Sequence, residues 1–329
     1  MKNPARYYVG LDVGGTSMKA GVVDDNAAEK SSISLPTEPE KGQEHGLATM
    51  CSAIRQAVQN AGLQLSDIAG IGVATPGTMD LKAGLILDPP NLKPWRNVPV
   101  RSHIADEFQL PTAFQNDANA AALGEYWAGA GKGARSLVFF TLGTGVGGGI
   151  IWNGEVLEGE HSHGAELGHM KIEMTNPRLC GCGKRGCLEA YASATAVVKR
   201  VYEALDLGES SMLSSWPTGD EDLTARDVFA AATKGDALAR RIVDETAFYL
   251  AMGATNAMHT IDPEMVVFGG GMIAAGDEFL QRIRHYIAEL AFPVPAERTQ
   301  ICFAQLGNDA GFIGAAACAR LLVQKGTTS

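Results

Sequence analysis

Residues 7–24, YYVGLDVGGTSMKAGVVD, and residues 136–156, SLVFFTLGTGVGGGIIWNGEV, share one organisation: an apolar run, a glycine turn and a second apolar run. The gap between the runs is too short for a helix, so each stretch reads as strand, turn, strand. The first turn is not a P-loop, because it carries no G-x-x-x-x-G-K-[ST]. The second contains G-x-G-x-x-G from Gly143 to Gly148, but a dinucleotide site needs a helix after those glycines. The chain continues instead as GGIIWNGEV, β-branched and aromatic, turning at Asn153-Gly154. The dinucleotide reading therefore fails, and the second stretch repeats the first.

A second feature stands between residues 164 and 189, GAELGHMKIEMTNPRLCGCGKRGCLE. His169, Cys180, Cys182 and Cys187 fall there as H-x10-C-x-C-x4-C in a loop-rich segment. Three thiols so close need an oxidising compartment or a soft cation. Zinc takes a tetrahedral Cys3His set, and such a closed shell is structural. The competing reading is a disulfide with one free thiol. Glu166 and Glu189 bracket the knot. Two carboxylates held by a rigid loop can clamp the hydroxyls of a polar ligand, or they are solvated loop acids.

The rest of the chain reads as alternating helices and strands. Residues 45–62 are amphipathic and helical, and 68–77 read as a buried strand ending at Pro76-Gly77. An irregular loop, DPPNLKPWRN, occupies 88–97, with Trp95 read as packing. In 110–129 a short strand reaches Asn116-Asp117, and an Ala-rich helix begins immediately after. There Asp117 is open to two readings, a helix cap or a chemical group, while Asn119 reads as helix structure. Residues 190–206 and 224–257 read as helices joined by an acidic, Ser-rich connection over 206–222. Residues 261–272 read as strand plus glycine turn, 277–290 as a helix, and 308–322 as a small-residue helix. His161 and His163 read as solvated loop residues, and Lys19 as a solvated strand residue.

Composition narrows the function. A length of 329 residues suggests about two domains. The apolar share of 46% and charged share of 19% fit a globular protein with a real core. A net charge of −10 argues against nucleic acid as the main partner. The N-terminus has no apolar signal region and no long apolar run occurs, so no membrane partner and a cytoplasmic location are expected. Cys51, Cys302 and Cys318 read as buried core residues.

The segment E-L-G-H followed by C-G-C-G-K-R-G-C-L-E resembles the zinc-containing signature of the ROK family (repressors, open reading frames and sugar kinases). D-x-G-G-T-x4-G-x2-D, from Asp12 to Asp24, is similar to the first phosphate loop of the actin-like ATPases. N-D-A-N-A-A-A matches the segment that carries the catalytic base of ROK sugar kinases. The resemblance implies an α/β, actin-like ATPase (ribonuclease H-like) duplicated fold, with two domains around a cleft. The N-terminal domain would comprise residues 1–117 and 309–329, with the last helix packing back on it. The larger domain would comprise 118–308. The activity implied is an ATP-dependent hexose kinase of the glucokinase type, a transferase of glycolysis forming glucose 6-phosphate. Asp117 would be the general base. Asn91, Asn116, Asp117, Glu166, His169 and Glu189 would line the sugar pocket, with the domains closing to exclude water. Asp12, Gly14, Gly15 and Thr16, with Gly143, Thr144 and Gly145, would face the nucleotide phosphates and hydrated Mg²⁺. Gly269, Gly270 and Gly271 would approach the adenosine. His169, Cys180, Cys182 and Cys187 would hold structural zinc. A homodimer or higher homo-oligomer is expected. Another hexose (N-acetylmannosamine, N-acetylglucosamine, fructose or allose) is the alternative substrate. ROK repressors carry a helix-turn-helix ahead of the first phosphate loop; with Asp12 at position 12 none is expected here, so a sugar-binding regulator is the less favoured alternative.

Overall fold

A computed structural model describes residues 6–215 and 222–326. Of the expected 206–222 connection, residues 216–221 lie outside the described residues. In chain order the elements are β1 (Tyr7–Val13), β2 (Ser17–Asp24), β3 (Glu29–Pro36), α1 (Gln43–Asn60), β4 (Ile68–Thr75), β5 (Met79–Asp80), β6 (Leu85–Ile86), α2 (Val100–Phe108), β7 (Thr112–Asn116) and α3 (Asp117–Ala128). They continue with β8 (Ser136–Leu142), β9 (Val146–Trp152), β10 (Glu155–Val156), α4 (Glu189–Ala192), α5 (Ala194–Asp206), α6 (Ala225–Thr233) and α7 (Ala237–Ile261). Last come β11 (Met265–Gly269), α8 (Asp277–Leu290), α9 (Pro293–Arg298), β12 (Gln300–Phe303) and α10 (Ala310–Gly326).

Two five-stranded sheets carry the fold, ordered β3-β2-β1-β4-β7 and β10-β9-β8-β11-β12. Position by position the orders correspond: three sequential strands in a meander, then two strands added in parallel. This is the duplicated actin-like arrangement. The chain groups into one compact unit of Met1–Arg135, Gly149–Ala165 and Gln305–Ser329, and a second of Ser136–Gly148 and Glu166–Ala304.

In the first unit a strip of small residues decides the packing. Gly21, Gly10, Gly72 and Ala113 stand side by side in register across β2, β1, β4 and β7. α10 lies on that strip so closely that a Cβ at Gly10 would fall 1.8 Å from Phe312 O, and one at Gly72 1.7 Å from Ala315 O. The opposite face of the sheet takes α1 through Met50, Ala53, Ile54 and Ala57, all fully buried. α3 also belongs to this unit, whereas the expected division falls after residue 117. The reason is its seam with α10: a Cβ at Gly314 would lie 1.7 Å from Ala120 O. Glu125 of α3 is wholly buried, and its carboxylate accepts the backbone N–H groups of Ala130, Gln305 and Leu306 at 2.8–3.1 Å.

In the second unit β8 and β11 are buried apolar strands, with Phe140 and Phe268 stacked at 5.3 Å, and β12 is a half-buried edge strand. The helical stretch read over 224–257 is two helices. Gly235 takes a left-handed φ of 99° that ends one, and Asp236 caps the next by accepting from Ala239 N at 2.8 Å. Cys51 is buried as expected, while Cys302 and Cys318 are only half-buried. Among the described residues no helix is long and apolar enough to cross a membrane.

Candidate active site

The first unit brings the first glycine turn, Asp12, Asn91 and the Asn116-Asp117 junction into one region of its sheet. β1 ends at Val13, and Gly14 N donates to Ser17 O at 2.9 Å to close the turn. Thr37, fully buried, braces the turn by donating its Oγ1–H to Gly14 O at 2.7 Å. A Cβ at Gly15 would stand 3.0 Å from Asn91 O, so the 90–92 turn rests on the glycine turn. Trp95 anchors that loop from beneath, buried and donating to Pro39 O at 3.2 Å. Its role is packing, in line with its sequence context.

Asp12 is held under the start of α10, where a Cβ at Gly311 would fall 2.1 Å from its Oδ2. Burial pushes its pKa up to about 7, the negative charge of Asp117 pushes the same way, and Lys19 opposes. Lys19 is not a free surface cation: it pairs with Asp309 and lies 5.3 Å from the centre of the Phe312 ring.

At the β7–α3 junction the cap is Asn116, not Asp117. Asn116 Oδ1 accepts from Ala118 N at 2.9 Å and Asn119 N at 3.2 Å. Its carbonyl is therefore committed to the helix, and its amide N–H groups are what it can offer a hydroxyl. Asp117 is the first residue of α3 and half-exposed. One residue that sequence reasoning missed is Asn119, buried with its Nδ2 3.3 Å from Gln115 Oε1 and its own Oδ1 unpartnered. Nothing in an Ala-rich helix distinguishes such a buried amide from a solvated one.

The second unit holds the other turn, the Cys/His knot and the third glycine loop. The four ligand atoms of His169, Cys180, Cys182 and Cys187 all lie within 4.8 Å of one another. Cys182 Sγ and Cys187 Sγ are 3.8 Å apart, and Cys180 Sγ is 3.9 Å from His169 Nδ1. A disulfide needs a separation of about 2 Å, whereas ligands of a tetrahedral zinc with bonds of about 2.3 Å stand about 3.8 Å apart. The donor set fits the ion. Lys171 Nζ, 2.8 Å from Cys187 Sγ, supplies positive charge beside the thiols. With Nδ1 turned to the knot, His169 Nε2 is the nitrogen left facing Glu166, 4.0 Å from its Oε2. His161 and His163 are both exposed to solvent, as expected, and stand outside the knot.

The turn Gly143–Thr144–Gly145 closes through Gly143 N donating to Gly145 O at 3.0 Å. Glu189, at the start of α4, is not a solvated acid: its Oε2 accepts from Val146 N at 3.0 Å. The three glycines after β11 divide by environment. A Cβ at Gly269 would strike the Phe139 ring and one at Gly270 the backbone of Leu142, so these two serve packing against β8. Gly271 has open space around it and lines a cavity of about 590 Å³ with Ala194, Arg226, Phe229, Thr233 and Met272.

A duplicated sheet topology, two glycine turns at corresponding strand pairs and a half-buried carboxylate beneath the first define an actin-like ATPase. The ROK family matches this sequence over residues 8–321. A glucokinase of Halalkalibacterium halodurans is 38% identical over 309 residues, covering 94% of this chain and 93% of that protein. The structure is similar to a ROK hexokinase from Thermus thermophilus, with a TM-score of 0.84 and 33% identity, covering 97% of this chain and 99% of that one. It is also similar to a ROK family glucokinase from Streptomyces griseus in complex with glucose and AMPPNP, at a TM-score of 0.78 and 33% identity over 97% of this chain and 100% of the other. This chain belongs to the ROK family.

Proposed function

We propose that this protein is an ATP-dependent hexose kinase that converts glucose to glucose 6-phosphate. The observation that carries the reading is its near full-length likeness to glucokinases, one of them holding glucose and an ATP analogue. The site chemistry agrees with it. In phosphoryl transfer the protein positions the reactants, neutralises charge and takes one proton. A sugar hydroxyl oxygen attacks the γ-phosphorus, its proton passes to the Asp117 carboxylate, and the bond from the γ-phosphorus to ADP breaks. Asn116 offers its amide N–H groups to a neighbouring hydroxyl, and Asn91, Glu166, His169 and Glu189 take others. The N–H groups of Gly14 and Gly143 close the two turns, and the backbone N–H groups of Gly15 and Gly145, with Thr16 and Thr144, donate to phosphate oxygens. Asp12 would hold hydrated Mg²⁺, and the ion would supply neutralisation of the charge on those oxygens. The 590 Å³ cavity at Gly271 is assigned to the adenine end.

Zinc is assigned to His169, Cys180, Cys182 and Cys187. Its closed shell fixes the loop and leaves no position for substrate. We assign a homodimer or higher homo-oligomer as the working assembly and the cytoplasm as its location.

A coupled assay of ADP release across glucose, fructose, allose, mannose and the N-acetylated hexosamines tests the substrate. Glucose should give the highest kcat/KM. Buried acceptors that lose a hydroxyl partner discriminate strongly against the analogue. A higher kcat/KM for N-acetylmannosamine or N-acetylglucosamine would replace the substrate and leave the kinase in place.

A further inference from the structure

The Cys/His knot and the second phosphate turn meet at one residue, Val146, which directly follows Gly145. On its carbonyl side sits Gly168, the neighbour of the knot's His169, with so little room that a Cβ would fall 1.9 Å from Val146 O. On its amide side Glu189 Oε2 accepts Val146 N at 3.0 Å, while Glu189 Oε1 lies 3.2 Å from Cys180 Sγ of the knot. The helical segment that begins at Glu189 ties the turn twice more. Ala194 N donates to Gly143 O at 2.9 Å, and Thr195 Oγ1 donates to Thr144 O at 2.8 Å. Gly145 is itself required by this arrangement, since a Cβ there would stand 2.4 Å from Glu189 Oε2.

We infer that Glu189 is a positioning residue for the nucleotide phosphates, linking the metal knot to the Gly143–Gly145 turn. A sugar-only role leaves the bond to Val146 without consequence for ATP. The geometry gives it one. The carboxylate fixes the peptide planes on which the turn's outward N–H groups depend, and the knot fixes the backbone that carries it, through Cys187 two residues earlier and through Gly168 against Val146 O. Two binding events that share one rigid element are coupled, and the coupling is reciprocal. Metal in the knot therefore tightens nucleotide binding, and nucleotide tightens metal binding by the same factor. The inference rests on reading Gly143–Gly145 as a phosphate turn.

The test uses the zinc-loaded protein without sugar and reads binding of a non-hydrolysable Mg–ATP analogue by calorimetry. Glu189→Ala should weaken the analogue about 10-fold, the scale of one charge-assisted hydrogen bond. Glu189→Gln keeps an acceptor for Val146 N and should stay within about 3-fold of wild type. Zinc affinity, read by competition with a chromophoric chelator, should rise on adding the analogue in wild type and not in Glu189→Ala. Should Glu189→Ala fail to fold, Gly145→Ala disturbs the same contact from the other side and carries the same comparison of zinc affinity. Wild-type analogue affinity in Glu189→Ala, or zinc affinity indifferent to the analogue in wild type, would overturn the inference alone. A wild-type protein that binds no analogue would instead sink the kinase reading, and this inference with it.

Discussion

Burial holds the Asp12 carboxyl at a pKa of about 7, well above the ordinary carboxylate range, and the charge of Asp117 adds to it. This raised value sets a sign. Between the unfolded value of about 4 and the folded value of about 7 the folded protein binds a proton that the unfolded chain has released. In the absence of ligand, Asp12 therefore stabilises the fold at low pH, and that contribution is lost as pH rises through about 7. Thermal melts from pH 5 to 8 should show this slope, and Asp12→Asn should flatten it. Mg²⁺ needs the ionised form, so Mg–ATP affinity should rise with pH up to about 7 and then level off, which calorimetry at several pH values would show. A second prediction concerns Asp117. The cap at the start of α3 is Asn116, so Asp117→Asn leaves the cap in place. Its melting temperature should stay within a few degrees of wild type while kcat falls on the order of 10²- to 10⁴-fold. A normal specific activity with a lowered melting temperature would return Asp117 to a structural role. Asn116-Asp117 was legible as a strand–helix junction. Which of the two caps the helix depended on backbone angles that sequence does not display, because Asn and Asp are nearly equal caps.

At the scale of elements, α10 shows how small residues direct packing. Its contact with the sheet runs over Gly10, Gly21 and Gly72, and its contact with α3 over Gly124 and Gly314. Replacing Gly72 by Ala places a methyl 1.7 Å from Ala315 O, a backbone atom that can move only with the helix. Overpacking of this kind costs typically 1–3 kcal/mol, and here the obstacle is backbone. Gly72→Ala should therefore destabilise by about 3 kcal/mol or more in denaturant titration. An unchanged midpoint would show that α10 can ride up without loss. The helix itself was readable from its run of small residues over 308–322. Its resting place was not, since Gly10 and Gly72 are far apart in sequence and become neighbours only through strand register. Glu125 was equally hidden. It looks like any helix acid until the chain returns at Gln305 and Leu306 to place two backbone N–H groups against it.

For the whole molecule, the strongest expectation is that it is a metalloprotein in which metal organises rather than reacts. Elemental analysis of the purified protein should find one zinc per chain. Removing it with a strong chelator should lower the melting temperature and release the loop that carries Glu166 and Glu189, because a structural zinc contributes folding free energy directly. Protein that is fully active and folded with no stoichiometric zinc would refute the assignment.

Several properties of this chain were determined by sequence alone. Two strand–turn–strand stretches, the H-x10-C-x-C-x4-C knot and the Asn-Asp junction depend on residues close together in the chain, so spacing and turn chemistry reveal them. Tertiary structure decided the rest, because long-range contacts assign the work among similar residues. It made Gly271 the residue open to a cavity while Gly269 and Gly270 became packing contacts, although the three are consecutive and identical. It raised the proton affinity of Asp12 by burying it beside another acid. It also turned Glu189 into a hydrogen-bond partner of Val146, 43 residues earlier in the chain. Short-range pattern carries the elements; desolvation and close approach, which exist only once the chain is folded, give each residue its chemistry.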